Sequence, residues 1–393
     1  FMGALAGKAA GVQINSSASG PGGGVKVVMR GAKSITQNNN ALYVIDGIPM
    51  YNRASSGGDG AMATQPSSES KADINPDDIE SMSVLSGPAA AALYGSNAAS
   101  GVILITTKKG RADKTTVTYS NNTTFSDPMM MPKFQNTYGN MTGEMMSWGL
   151  ETDKRYDPAN FFNTGSNVSN ALSLSTGNDK SQSYISVATT NATGIMPNND
   201  YDRYNFSFRN TTNFLNNKFI LDTSANYIIQ NDKNMVSQGQ YFNPLTSLYL
   251  FPRGEDFSDV AVYERYDDLS GVNTQYWPYG DLGGVSSQNP YWIMNRMNRE
   301  NDRRRYKLAA SLQYNIIEGL NVQGRVSIDN TESKYTEKFH AGTVGNFAGP
   351  KGRYKEENRL DRQVYADVLA NFNKTFNEFN VTANLGASIK DLR

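Results

Sequence analysis

The chain has 393 residues, enough for two domains or one large barrel. Its 37 basic and 37 acidic residues balance, which argues against sequence-independent nucleic-acid binding. With no cysteine and a single histidine, His340, it offers no disulfide staple, no thiolate chemistry and no multi-histidine metal site.

No run of 18 apolar residues occurs, so no transmembrane helix is expected. Low hydropathy is also the mark of a transmembrane β-barrel, because only every second residue faces lipid. The 22 Tyr and 17 Phe, with abundant Asn, Ser and Thr, suit that alternative. No signal peptide precedes Phe1 and no Met starts the chain, so the natural N-terminus is expected to lie upstream.

In chain order, Phe1–Val12 reads as a short helix ending near Gly11. Gly20–Gly24 is a flexible turn, and Val25–Met29 a strand that ends at Arg30 and Gly31. Leu42–Ile45 is a second strand, closed by the Asp46-Gly47 turn. Residues 50–72 are polar and patternless and read as a long loop. Asn75, Pro76 and Asp77 form a helix start with acids in its first turn, leading into a short amphipathic piece. A Gly-Pro breaker and a small-residue helix follow over 87–95. Val102–Ile105 is a continuous apolar run, the pattern of a strand buried on both faces.

Three tempting motifs in this region are weak. The Gly87–Gly95 segment lacks the Gly-Lys-Ser/Thr ending of a phosphate loop, so its small residues are read as packing a helix on a sheet. Asp77, Asp78 and Glu80 do not have the spacing of a calcium loop. Arg30, between a buried strand and a glycine, is costly unless paired, so it is expected to meet a carboxylate and anchor this unit.

From Thr115 the period changes to two. Val117 and Tyr119 begin the series, followed by Leu172 and Leu174, then Ile185 and Val187. Tyr204, Phe206 and Phe208 alternate with Ser207 and Arg209; Phe219, Leu221 and Tyr227 share the next face. Tyr306 to Ile316, Val322 to Ile328, Val364 to Phe372 and Phe379 to Ile389 complete about nine strands. Connections alternate short, as at Asn216–Asn217 and Glu318–Gly319, and long, which is the pattern of outer-membrane barrels. Arg209, Arg325 and Asp329 fall on the polar face, and Tyr204 and Tyr306 on the apolar one.

Three pieces carry a family resemblance: VVMRG (27–31), LYVIDGIP (42–49) and INPDDIESMSVLSGPAAAALYGSNAASGVILITTKKG (74–110). In this order they resemble the plug of TonB-dependent outer-membrane transporters, in particular the SusC/RagA family. The fold that this implies is mainly β, an N-terminal α+β plug followed by an antiparallel transmembrane β-barrel. The plug is expected at 1–112 and the first part of the barrel at 113–393, with extracellular loops at 126–165, 194–201, 231–302 and 337–356. The family's barrel has 22 strands, so about nine strands mark an expected piece of a larger protein, and a barrel that wide must be plugged.

The resemblance implies active import of an oligosaccharide or peptide, driven through the TonB complex of the inner membrane. A SusD-like surface lipoprotein would act as lid, and outer-membrane lipid would surround the wall. No catalytic set, cofactor, metal or nucleic-acid partner is expected. Substrate contacts are expected in loops: Tyr51, Asn52 and Arg53 after the DGIP turn, and Tyr276, Trp277, Tyr279 and Trp292 in the longest loop, where aromatic faces suit sugar rings or apolar peptide side chains. The same aromatics could equally form a small core for that loop. A siderophore or cobalamin receptor shares the plan, and a porin lacks such a plug; the wording of the three pieces leans against both.

Overall fold

A computed structural model describes residues 12–16, 19–29, 31, 39–50, 62–64, 73–85, 90–91, 94–112, 114–142, 144–154, 156–237, 239–279, 281–282, 285–376 and 379–393. Arg30, Tyr51, Asn52, Arg53, the 1–11 segment and most of 86–93 lie outside them.

The N-terminal unit contains two small sheets. Strands β1 (Val12–Ser16) and β2 (Val25–Met29) pair antiparallel. The helix expected to run to Val12 therefore gives way at Val12 to a strand, whose Val12 and Ile14 pack against the core under β2. Strands β3 (Leu42–Ile45) and β4 (Ile48–Met50) form a hairpin. Its two-residue turn is Asp46-Gly47, with φ +52° and +79°, the left-handed pair that a type I′ turn requires. A single 3₁₀ turn, Pro76–Asp78, is capped by the Asn75 side chain and leads into β5 (Ile79–Leu85). The amphipathic piece is thus a strand. It pairs antiparallel with β6 (Val102–Thr107), which also runs parallel to β3. That central place explains the unbroken apolar run: Val102, Ile103 and Ile105 are fully buried.

The second unit is one nine-stranded meander. β7 (Thr116–Ser126) is followed by a small hairpin, β8 (Tyr138–Asn140) and β9 (Ser147–Glu151). Next come β10 (Gly165–Gly177), β11 (Ser181–Thr193), β12 (Asp200–Phe214) and β13 (Phe219–Lys233). A long excursion carries helix α1 (Pro244–Tyr249), hairpin β14 (Glu264–Asp267) and β15 (Val272–Gln275), short strands β16 (Asp281–Leu282) and β17 (Val285–Ser286), and helix α2 (Pro290–Arg296). The meander then resumes with β18 (Met297–Ile317), β19 (Leu320–Phe339), β20 (Arg353–Phe376) and β21 (Phe379–Leu392). Every sequential neighbour in the sheet is antiparallel, in the order β7-β10-β11-β12-β13-β18-β19-β20-β21.

The sheet has two unlike faces because its side chains alternate. Val117, Leu172, Phe206, Leu308, Leu312 and Val326 are exposed on one face. Asn205, Arg209, Arg305, Lys307 and Asp329 are buried on the other, against the N-terminal unit. An exposed apolar face of this extent is what lipid would cover.

β18, β19 and β20 are longer than alternation alone suggests, at 21, 20 and 24 residues. The connection between β13 and β18 shrinks accordingly to 234–296, and that between β19 and β20 to 340–352. The extensions are too polar to alternate, as in Asn298–Arg305, yet their backbones remain laddered. Cross-strand pairs such as Lys338 with Glu300, 2.7 Å apart, line them.

Candidate functional site: the interface between plug and wall

The two units keep separate apolar cores. One plug cluster joins Val27, Met29, Tyr43, Ile103 and Ile105; a second joins Leu42, Val44, Ala90, Ala98 and Val102. Neither includes a residue of the nine-stranded wall. Plug and wall are joined by hydrogen bonds and ion pairs, beside local close packing such as Gly22 against the Tyr201 ring.

Asp46, at the tip of the β3–β4 hairpin, is one anchor. Its carboxylate accepts from the Thr107 amide (2.9 Å) and hydroxyl (2.7 Å), which fix it to the end of β6. Arg209 of β12 lies 2.9 Å from its Oδ1. The same guanidinium is bidentate on Asp222 of β13, at 2.9 and 3.0 Å, and donates to the Thr107 carbonyl. One planar fork thus joins two wall strands to the β3–β4 turn and the end of β6, a task a lysine could not perform. Gly47 completes the fit, because a Cβ there would collide with the Arg325 guanidinium. Arg325 is itself held by Asp367, with Nη2 to Oδ2 at 2.7 Å.

Asp73 is the deepest anchor, 2% exposed. Arg303 and Arg305 of β18 each donate to one of its oxygens, Arg305 at 2.7 Å. Arg305 also grips Asp329 of β19 at 2.8 and 2.6 Å. The Asp73 carbonyl accepts from Asn205 at 2.6 Å. The 3₁₀ turn supplies a third anchor. Asp78 accepts from the Tyr184 hydroxyl (3.0 Å) and from Ser207 (2.9 Å), and Asp77 accepts from Ser120 (2.6 Å). These aspartates, which lack the spacing of a calcium loop, act as acceptors for wall hydroxyls. A cavity of about 80 Å³ remains among Asp46, Asp73, Asp78, Lys108, Arg305 and Lys307.

Where the chain leaves the plug, Lys109 reaches Asp222 at 3.1 Å. Gly110 then passes so close to β11 that a Cβ would strike the Ser183 backbone.

The expected logic was an arginine of the plug meeting a carboxylate. Arg30 is outside the described residues; Lys109 with Asp222 has the expected polarity, whereas Asp46 and Asp73 run the other way, plug carboxylates on wall arginines. Arg209 and Arg325 were legible as residues of the polar face. Asp46 was legible only as a turn residue, and Asp73, directly after the polar stretch 50–72, gave no signal.

The aromatic candidates lie elsewhere. Trp292 is 1% exposed, inside a core built from Phe242, Leu248, Phe251, Ile293, Phe339 and Phe347. Its indole donates to Thr343 at 3.1 Å. Tyr276, Trp277 and Tyr279 pack on the same core, half-buried. Trp277 meets Tyr279 edge-on at 5.1 Å and donates to Ser287 at 2.6 Å, and Arg265 lies over Tyr276. Asn289 caps α2 and ties it to the Val260 and Tyr276 carbonyls. These side chains give the loop layer its core, and Trp292 presents no face to a ligand.

A family model described as TonB-dependent Receptor Plug Domain matches residues 1–102. The chain is similar to the TonB-dependent receptor SusC of Bacteroides thetaiotaomicron, 29% identical over 306 residues, 73% of this chain and 29% of that protein. It is also similar to the TonB-dependent receptor P3 of Formosa agariphila, 27% identical over 99% of this chain and 36% of that one. The chain therefore spans about a third of the length of these curated relatives. Among solved structures, the RagAB peptide transporter superposes with a TM-score of 0.70 at 19% identity, covering 99% of this chain and 47% of that one. The siderophore receptor PirA from Acinetobacter baumannii gives 0.54 at 16% identity, over 97% and 44%. These likenesses establish the fold.

Proposed function

We propose that this chain, which belongs among the SusC/RagA-like TonB-dependent transporters, supplies the gate and part of the wall of a nutrient importer in the bacterial outer membrane. The cargo is a bulky oligosaccharide or peptide. Energy arrives through the TonB complex, and a SusD-like surface lipoprotein closes the outer mouth. We assign residues 1–112 to the plug and 113–393 to the barrel wall, with the segments around 126–165, 194–201, 231–302 and 337–356 on the extracellular side. No catalytic role is proposed.

The observation that carries this reading is the separation of cores. A plug that shared a dry apolar core with the wall would have to expose that core whenever it moved, at about 25 cal/mol per Å². Ion pairs and hydroxyl contacts exchange for water at far lower net cost, about 0.5–1.5 kcal/mol for an ordinary hydrogen bond. The plug is therefore firmly placed and yet removable.

The chain has no cysteine of its own, so an engineered pair within it tests the reading directly. Asp78→Cys with Ser207→Cys replaces a 2.9 Å plug–wall contact. In the full-length protein, nutrient uptake should stop when this pair is oxidised, return on reduction, and depend on TonB throughout. Undiminished uptake with the crosslink formed would show that the plug does not move.

A further inference from the structure

The plug-facing side of β18 carries cations at Arg299, Arg303, Arg305 and Lys307, all buried. At about 3.3 Å per residue they make a ladder roughly 26 Å long. With β7 running outward from the plug, β18 descends from the extracellular side, so Arg299 is the uppermost rung.

Among the described residues, plug carboxylates meet only the middle of this ladder. Asp73 engages Arg303 and Arg305, and Arg305 has Asp329 besides. At the top, Arg299 gives Nη1 to the Thr64 carbonyl at 3.2 Å. Its Nε and Nη2 are buried with no hydrogen-bond partner among the described residues. Glu337, its neighbour across the strands, is already engaged by the Tyr335 hydroxyl (3.0 Å) and Arg353 (2.6 Å). At the bottom, Lys307 lines the cavity and has no ion pair within 4 Å among the described residues. A buried donor left unmatched costs about 1–3 kcal/mol, more when charged. Hydrophobic or neutral residues at these positions would seat a static plug at less cost.

We infer that this ladder is a track for anionic cargo. The imported oligomer carries carboxylate groups; Arg299 receives the first of them, and later ones take the place of Asp73 on Arg303 and Arg305 as the plug withdraws. Asp73 is the plug's stand-in for the cargo. A guanidinium fork matches a carboxylate in two parallel hydrogen bonds, and the two free nitrogens of Arg299, Nε and Nη2, are the pair that can form them. This inference rests on the import reading and names the chemistry of what is imported. Uronate sugars and acidic peptides both supply that chemistry.

The test is calorimetric titration of the full-length protein in detergent with matched pairs: a hexagalacturonate against maltohexaose, and a Glu-containing peptide against its Gln counterpart. At least one acidic member should bind tenfold or more tightly than its neutral partner, and the gap should narrow as salt rises. Arg299→Gln should close the gap, and Arg299→Lys should keep part of it. Equal affinities within both pairs of the unaltered protein would overturn the inference, whatever the variants do. So would a gap that survives Arg299→Gln. TonB-dependent uptake of a neutral nutrient with no acidic competitor would sink the charge assignment and leave the import reading standing. Uptake indifferent to TonB would sink the import reading itself.

Discussion

The loop layer and the plug interface are held by opposite physics. The loop layer closes over an aromatic core around Trp292, Phe242 and Phe251, in which Phe242 meets Phe347 and Phe251 meets Phe257 edge-on. Among the described residues no apolar cluster spans the plug interface, which rests on Asp46, Asp73, Asp77 and Asp78 against wall arginines and hydroxyls. On the proposed import reading, the difference separates a part built to stay from a part built to leave. Apolar packing is insensitive to ions and costly to open, whereas a charged interface can be competed away.

The largest expected effect tests the apolar half. Trp292→Ala removes a side chain that is 1% exposed and should cost about 3–5 kcal/mol. The loop layer should become protease-sensitive, equally at low and high salt, while the plug stays protected. A salt-dependent loss would break the comparison.

The next effect tests the polar half. Asp73→Asn leaves Arg303 without its buried anionic partner, while Arg305 keeps Asp329. We expect about 3 kcal/mol, the low end for breaking a buried pair. Hydrogen exchange should speed up in β3 to β6 and leave the loop layer unchanged. Uniform exchange across both units would mean that they form one cooperative body.

The smallest effect sharpens the contrast through pH. Within the loop layer, Arg296 donates to both oxygens of Glu264 at 2.7 Å and holds that carboxyl below its usual range. Its contribution is present above the unfolded value, about 4.3, and is lost as pH falls through the lower folded value. His340 has the same sign: burial, and then Arg296, push its imidazole down, so protonation below about 6.5 also favours the opened loop. Proteolysis of the loop layer should therefore accelerate on acidification, first as histidine charges and again below about pH 4. Glu264→Gln should flatten the second rise, and an unchanged acid limb would rule the pair out as its source.

Much of the fold was legible because alternation is a local property. Leu308, Leu312 and Val326 announced their strands, and the Asp46-Gly47 dipeptide announced a hairpin. The Val12–Ser16 strand was missed although Val12 and Ile14 alternate with Gln13 and Asn15, because two apolar positions are too few to announce a strand until β2 lies beside it. The polar upper halves of β18 to β20 were missed for a related reason: their ladders are sustained by neighbouring strands and cross-strand charges. Trp292 shows the limit for sites. An aromatic in a polar loop reads equally well as a ligand platform or a core residue, and only the packing around it separates the two.

The sequence by itself determined the order of parts: a small mixed unit, then a run of strands with one apolar and one polar face, joined by long and short connections in turn. Tertiary structure alone decided which charges meet. Asp73 and Arg303 are 230 residues apart, and nothing in the local pattern of either points to the other. Alternation is written residue by residue along the chain. A charge pair across an interface exists only once two separately folded surfaces have been brought face to face.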